Sequence, residues 1–155
     1  MVSQIHILLH NIRSTHNVGA IFRTADATGV GKIYLSGYTP APVDRFGRDR
    51  SDISKASLGA EKTVEWESVV DVMELIKNLK KQDYYICGIE QDSKSVDYRS
   101  IPKGRKILLI LGNEVDGVDK EILKLCDCIA ELPMLGSKES LNVSVTAGIV
   151  LYSLI

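Results

Sequence analysis

The chain has 155 residues, 45% hydrophobic and 25% charged, with a formal net charge of −1. That length makes one domain with a core large enough to need no disulfide or metal staple. The charge balance excludes a polycation holding nucleic acid by bulk charge alone, and no apolar run approaches the roughly 20 residues of a membrane span. The opening Met1–Ser14 lacks the basic start of a secretory signal and carries His6, His10 and Asn11 in its apolar part. An odd set of three cysteines, Cys87, Cys126 and Cys128, then points to a reducing compartment, and a cytoplasmic location is expected. Cys126 and Cys128 have no second pair and no neighbouring His, so they read as structural thiols and no metal site is expected.

In chain order, Ile5–Leu9 is a short apolar run that reads as a buried strand. Asn17 looks like a helix N-cap, followed by the stripe Val18, Ile21, Phe22 and Ala25, and Gly29 is a natural terminator. Lys32–Ser36 is a second strand. The stretch from Gly37 to Lys62, with Pro40, Pro42 and Gly47, reads as a long functional or mobile loop that orders on binding. A short strand is expected near Thr63–Trp66 and a helix over Ser68–Lys81. Tyr84–Ile89 and Lys106–Leu111 are continuous apolar strands, which implies a sheet covered on both faces and hence mostly parallel. Asp119–Leu125, Ile129–Leu132 and Asn142–Ile155 read as helix, strand and helix. The alternation predicts an α/β fold, a mostly parallel sheet flanked by helices, in a single domain over 1–155.

Open α/β sheets bind ligands beyond the carboxyl ends of their strands. The polar loops at those ends are where chemistry is expected. The near-match Gly29-x-Gly31 has Tyr34 in place of the third dinucleotide glycine and precedes a strand. Asp26 and Ile33 spoil a P-loop, and no G-x-S-x-G elbow occurs. Nicotinamide, P-loop and α/β-hydrolase chemistry are therefore disfavoured.

Three segments remain. In Asn17–Gly29, Arg23 leaves the core stripe for a side bearing Gly19, Ala20 and Ala27. Either Arg23 is a solvated arginine paired with Asp26, or that side is stripped of bulk so that a partner or substrate comes close. Gly112-Asn-Glu114-Val-Asp-Gly117 ends a buried strand in a glycine-flanked loop with a carboxylate, unless it is a plain turn. Pro133-Met134 is followed by Ser140-Leu-Asn142-Val-Ser144, where Ser140 or Asn142 could simply cap the last helix.

Together these segments resemble the SpoU/TrmH branch of the SPOUT, or α/β-knot, RNA methyltransferases. The first family motif is met by Asn17, Gly19, Arg23, Thr24 and Ala25, and the second by Gly112, Asn113, Glu114 and Gly117. Pro133, Met134, Ser140, Leu141, Asn142, Val143, Ser144 and Ala147 meet the third, and Ser57-Leu-Gly-Ala60 fits the same branch. The resemblance spans nearly the whole chain, without the accessory RNA-binding domain that many members carry. It implies a C-terminal deep trefoil knot, the cofactor S-adenosylmethionine, a ribose 2′-hydroxyl of RNA as methyl acceptor, and a homodimer sharing its sites. The implied cofactor contacts are Ile89, Glu90, Gly112, Asn113, Glu114, Leu132, Met134, Ser140 and Leu141. The implied catalytic set is Arg23, Asn17, Glu114, Ser140 and Asn142. Within it, Arg23 is a permanent cation and better suited to gripping phosphate and stabilising a developing alkoxide than to acting as a base.

Arg13, His16, the Arg45–Lys55 stretch and the net +4 patch over residues 94–106 are candidate phosphate contacts. Without an accessory domain, tRNA is the expected substrate ahead of rRNA. The last helix is apolar nearly all round, which calls for a cover: a subunit interface, the sheet itself, or further chain beyond Ile155. The rivals are a non-catalytic RNA-binding or assembly protein on this fold and a base-methylating relative.

Overall fold

The computed structural model describes residues 4–155, so the first three residues of the expected non-secretory start lie outside it. Among the described residues seven strands form one sheet: β1 (Ile5–His10), β2 (Lys32–Ser36), β3 (Glu65–Val69), β4 (Tyr85–Ile89), β5 (Val96–Asp97), β6 (Ile107–Leu111) and β7 (Cys128–Glu131). Their order is β3-β2-β1-β6-β4-β7-β5, and every pairing is parallel. The helices are α1 (Thr15–Thr28), α2 (Ser51–Ser57), α3 (Val72–Lys81), α4 (Lys120–Leu123) and α5 (Val143–Leu154).

The continuous apolar runs behave as their pattern requires. β1 and β6 lie side by side at the centre, every residue of both is buried, and alternate side chains feed two cores. Ile7, Leu9, Leu109 and Leu111 pack with α1 and α5 on one face, whereas Leu8, Leu108 and Ile110 pack with α3 and α4 on the other. Each such side chain contributes about 1.5–3 kcal/mol by leaving water.

Helix α1 is capped three residues before the expected cap. Ser14 is the N-cap and its hydroxyl accepts from Asn17 N at 3.1 Å, so Asn17 lies inside the first turn. Gly29 ends the helix as expected, in the left-handed conformation at φ 71°. At Gly19 the small-residue side of α1 is filled from within: a Cβ there would stand 2.6 Å from Ile53 O and 2.7 Å from Ala56 Cβ. Helix α2 covers that side at Gly19, and no substrate approaches there. Nor does Arg23 pair with Asp26, which accepts instead from Thr63 Oγ1 at 2.6 Å.

The stretch 37–62 is no structureless loop. It holds a small hairpin closed by the Val43–Asp49 bridge, then α2, then a 3₁₀ turn at Ala60–Lys62. Strand β3 runs to Val69, further than expected, because it lies in register with β2 and Lys32 Nζ meets Glu65 at 3.0 Å and Glu67 at 2.9 Å. Helix α3 accordingly begins at Val72, with Asp71 accepting from Glu74 N at 3.0 Å.

Cys87 and Cys128 sit in the sheet, and Cys126 lies just before β7. Cys87 and Cys128 face each other on β4 and β7 with sulfurs 3.2 Å apart, while Cys126 lies against Gly88. Helix α5 is half covered. Ala147, Val150, Leu151 and Leu154 are buried, but Val145, Ile149 and Tyr152 face solvent in line with Leu141.

Candidate active site

The loop after β6 is a clamp whose sequence follows from its contacts. Asn113 and Gly117 exchange backbone hydrogen bonds at 3.1 and 3.0 Å. That crossing brings Gly117 O within 2.3 Å of where a Gly112 Cβ would stand, so no side chain fits at Gly112. Gly117 has φ 73° and lies under the Glu90 carboxylate, which accepts from Val118 N at 2.8 Å. Asn113 Oδ1 accepts from Val115 N and Asp116 N, both at 2.9 Å, and its Nδ2 donates to Asn11 O and to the Tyr38 hydroxyl.

Glu114 reaches from this clamp to the N-terminus of α1. It accepts from Arg13 N at 3.1 Å, from Ser14 N at 3.1 Å and from Asn17 Nδ2 at 3.2 Å. Partial burial pushes its pKa up, but these donors outweigh burial and hold the carboxyl below its ordinary value. The positive end of α1 acts in the same direction. Asn17 passes the contact on, since its Oδ1 accepts from Asn142 Nδ2 at 3.2 Å. Asn142 in turn caps α5 by accepting from Ser144 N at 2.8 Å. One chain of hydrogen bonds thus joins the starts of α1 and α5 to the β6 loop.

Next to this network lies a cleft of about 520 Å³ at the carboxyl ends of β4, β6 and β7, a volume typical of a small-molecule site. Ile89, Glu90, Gly112, Asn113, Glu114, Leu132, Met134, Ser140, Leu141 and Asn142 all line it. Every residue expected to touch a cofactor is therefore brought to one cavity. Three that also line it carry a signal missed in the sequence: Asp116, Glu131 and Glu139 are acids close to a strand-end loop. With Glu90 and Glu114 they make five carboxylates, and no Lys, Arg or His is among the lining residues.

Two residues of the expected catalytic set stand outside the cleft. Asn17 is buried and reaches it through Glu114 and Asn142. Arg23 is exposed, six residues along α1 from Asn17, or roughly 9 Å at 1.5 Å per residue. It lines a separate hollow with Asp26, Thr63 and the turn Ser57–Ala60.

A family model described as the SpoU rRNA Methylase family matches residues 4–152. The chain belongs to this family. It is 34% identical over 146 residues to the 23S rRNA (guanosine-2'-O-)-methyltransferase RlmB of Xylella fastidiosa, covering 94% of this chain and 56% of that one. The crystal structure of the A. aeolicus TrmH/SpoU tRNA modifying enzyme matches with a TM-score of 0.85 at 29% identity, covering 97% of this chain and 73% of that one. An AdoMet-bound rRNA methyltransferase from Sinorhizobium meliloti matches at 0.86 and 28% identity, covering 97% and 55%. The chain spans little more than half the length of the curated SpoU relatives it matches. Its parallel sheet thus belongs to a shared SpoU architecture.

Proposed function

We propose that the chain is an S-adenosylmethionine-dependent RNA ribose 2′-O-methyltransferase that works in the cytoplasm as a homodimer. The observation that carries this reading is the charge of the cleft. S-adenosylmethionine bears a sulfonium and an ammonium against one carboxylate, so it is a net cation. Five carboxylates without a basic side chain suit such a ligand and repel a polyphosphate cofactor. The apolar side chains of Ile89, Leu132, Met134 and Leu141 suit its adenine, and Ser140 and Asn142 suit its ribose or methionine end. When bound, the cofactor supplies an electrophilic methyl group.

The protein's own residues then divide by charge. The clamp residues Gly112, Asn113 and Glu90 hold the shape of the cleft. Glu114 is saturated by donors, which makes it a poor proton acceptor and assigns it to positioning. Asn17 has both ends of its amide engaged and belongs with it. Arg23 grips the phosphate beside the target ribose and stabilises the alkoxide that develops as the hydroxyl proton passes to solvent water. Holding the hydroxyl in line with the methyl carbon supplies the remaining rate enhancement.

The separation of Arg23 from the cleft within one chain supports a shared site. A second copy covering Leu141, Val145, Ile149 and Tyr152 would bury an apolar stripe, and in this reading the Arg23 of one chain serves the cleft of the other. Mixing Arg23→Ala chains with Gly112→Ala chains tests this: recovered activity supports a shared site, and its absence assigns each site to one chain. The trefoil knot belongs to the same reading. Glu139–Asn142 line one cavity with the loops after β4 and β6, the neighbourhood that a threaded C-terminal segment requires.

The decisive experiment is transfer of labelled methyl groups from S-adenosylmethionine to unmodified tRNA and rRNA pools. The tRNA pool tests the sequence-based expectation, and the rRNA pool tests the substrate named for the Xylella relative. Label in 2′-O-methylated nucleotides is the expected result. Label confined to bases would favour a base-methylating enzyme. RNA binding without cofactor binding would leave an assembly protein.

A further inference from the structure

Two aromatic rings on the segment after β2 stand in water beside arginines. Phe46 is 67% exposed at the tip of the hairpin 43–49, with the guanidinium carbons of Arg45 and Arg48 at 4.8 and 5.0 Å from its ring centre. The hairpin is not loose. Asp44 accepts from Phe46 N at 2.8 Å, Arg48 N at 3.0 Å and Arg48 Nε at 2.9 Å, and Gly47 turns the chain at φ 77°. Its carboxyl is lowered by these bonds, first by that from the Arg48 backbone. Tyr38 is 53% exposed, with the Arg13 guanidinium 6.0 Å from its ring and its hydroxyl accepting from Asn113 Nδ2 at 2.8 Å.

The hairpin also bridges the two halves of the proposed site. Tyr38, which leads into it, is tied to the clamp. Asp49, which closes it, pairs with Lys62 at 3.2 Å, beside the turn that forms the Arg23 hollow. Arg13, Arg23 and Arg45 make no ion pair among the described residues, so their charges are available to an anion.

We infer that Phe46 and Tyr38 are stacking platforms for unpaired nucleobases, so the RNA taken by this site is single-stranded or looped around its target nucleotide. The inference rests on the methyltransferase reading for its choice of polyanion. Aromatic faces and guanidinium planes are the groups that hold splayed bases, and adjacent arginines hold the phosphates between them. A duplex keeps its bases stacked inside and has nothing to offer an isolated ring. The acidic cleft repels the RNA backbone, so affinity has to come from outside it, where these rings are.

The test compares wild type, Phe46→Ala and Phe46→Trp in binding a labelled oligoadenylate and a blunt RNA duplex of equal length at low salt. Wild type is expected to prefer the single strand. Phe46→Ala should lose roughly five- to 150-fold for the single strand and little for the duplex, with Phe46→Trp restoring binding. Equal losses for both probes would mean that the ring only supports the hairpin's arginines, and would overturn the inference. So would a wild type that does not favour the single strand. Unchanged RNA binding and KM in Phe46→Ala would overturn it too. Cofactor titration and methyl transfer run alongside separate the two readings. Single-strand binding through Phe46 without methyl transfer sinks the enzyme and spares the platform. Methyl transfer indifferent to Phe46 does the reverse.

Discussion

The cleft and the segment from Tyr38 to Thr63 are built by opposite means. The cleft is assembled from loops far apart in the chain and locked by contacts that leave no room, such as Gly112 against the Gly117 backbone. The segment folds locally, from a hairpin held by one aspartate and a seven-residue helix. The cleft presents carboxylates and the segment presents arginines and exposed rings. In the proposed reading the first suits a small cation that is the same for every substrate. The second suits a polyanion whose shape differs between substrates, and it can vary without disturbing the sheet.

That division can be broken experimentally. The largest effect is expected from Arg23→Ala, which should slow methyl transfer about a hundred- to a thousandfold while cofactor affinity, read by calorimetry, stays unchanged. A parallel loss of cofactor affinity would merge the two regions. Next is Gly112→Ala, whose new Cβ would meet the Gly117 and Val118 backbone at 2.3–2.5 Å. It should weaken cofactor binding roughly five- to 150-fold, with circular dichroism reporting an intact fold. Gly19→Ala pushes α2 off α1 and should cost about 1–3 kcal/mol, seen as several degrees in the melting temperature. Loss of single-strand RNA affinity with unchanged cofactor affinity would show that α2 serves the substrate side alone.

The smallest effect is a pH dependence. The Glu114 carboxyl lies below its ordinary value of 4.5 in the folded chain, because the Arg13 and Ser14 N–H groups and the Asn17 amide outweigh partial burial. A depressed folded pKa adds stability above the unfolded value, and that stability is lost as pH falls through the folded one. Glu114→Gln should therefore melt a few degrees below wild type at neutral pH, about 1 kcal/mol. The two should converge as pH drops below the carboxylate range. A gap that stays constant with pH would show that shape, not charge, is what Glu114 contributes.

How far these features could be read beforehand depended on how local their causes are. Tyr84–Ile89 and Lys106–Leu111 announced themselves because a strand buried on both faces is apolar nearly throughout. Gly29 ends α1 through its own backbone conformation. Ser14 was missed as the cap because Asn17, the better-looking candidate, points its amide at Glu114 nearly a hundred residues away. Helix α2 buries only Ile53 and Ser57, too little for a stripe to show. β5 is two residues long and exists only by pairing with β7. For the site, the motif residues pointed to the cleft, but nothing in their spacing could tell that Arg23 lies in a different hollow. The acids Glu131 and Glu139 look like ordinary surface charges until β7 and the start of α5 bring them together.

The central pair of strands carries a further consequence. β1 lies between β2 and β6, and its partner on the β6 side begins about a hundred residues later, at Ile107. The donors at the start of α1 wait as long for Glu114, and Asn17 waits longer still for Asn142. A nascent chain leaving the ribosome can complete the β1–α1–β2 unit early, but it exposes one bare apolar strand edge until most of the protein has been made. Loop-closure entropy grows slowly with length, so this arrangement costs time more than stability. The interval before β6 arrives is when the protein is most open to aggregation, and the cleft cannot exist before that interval ends.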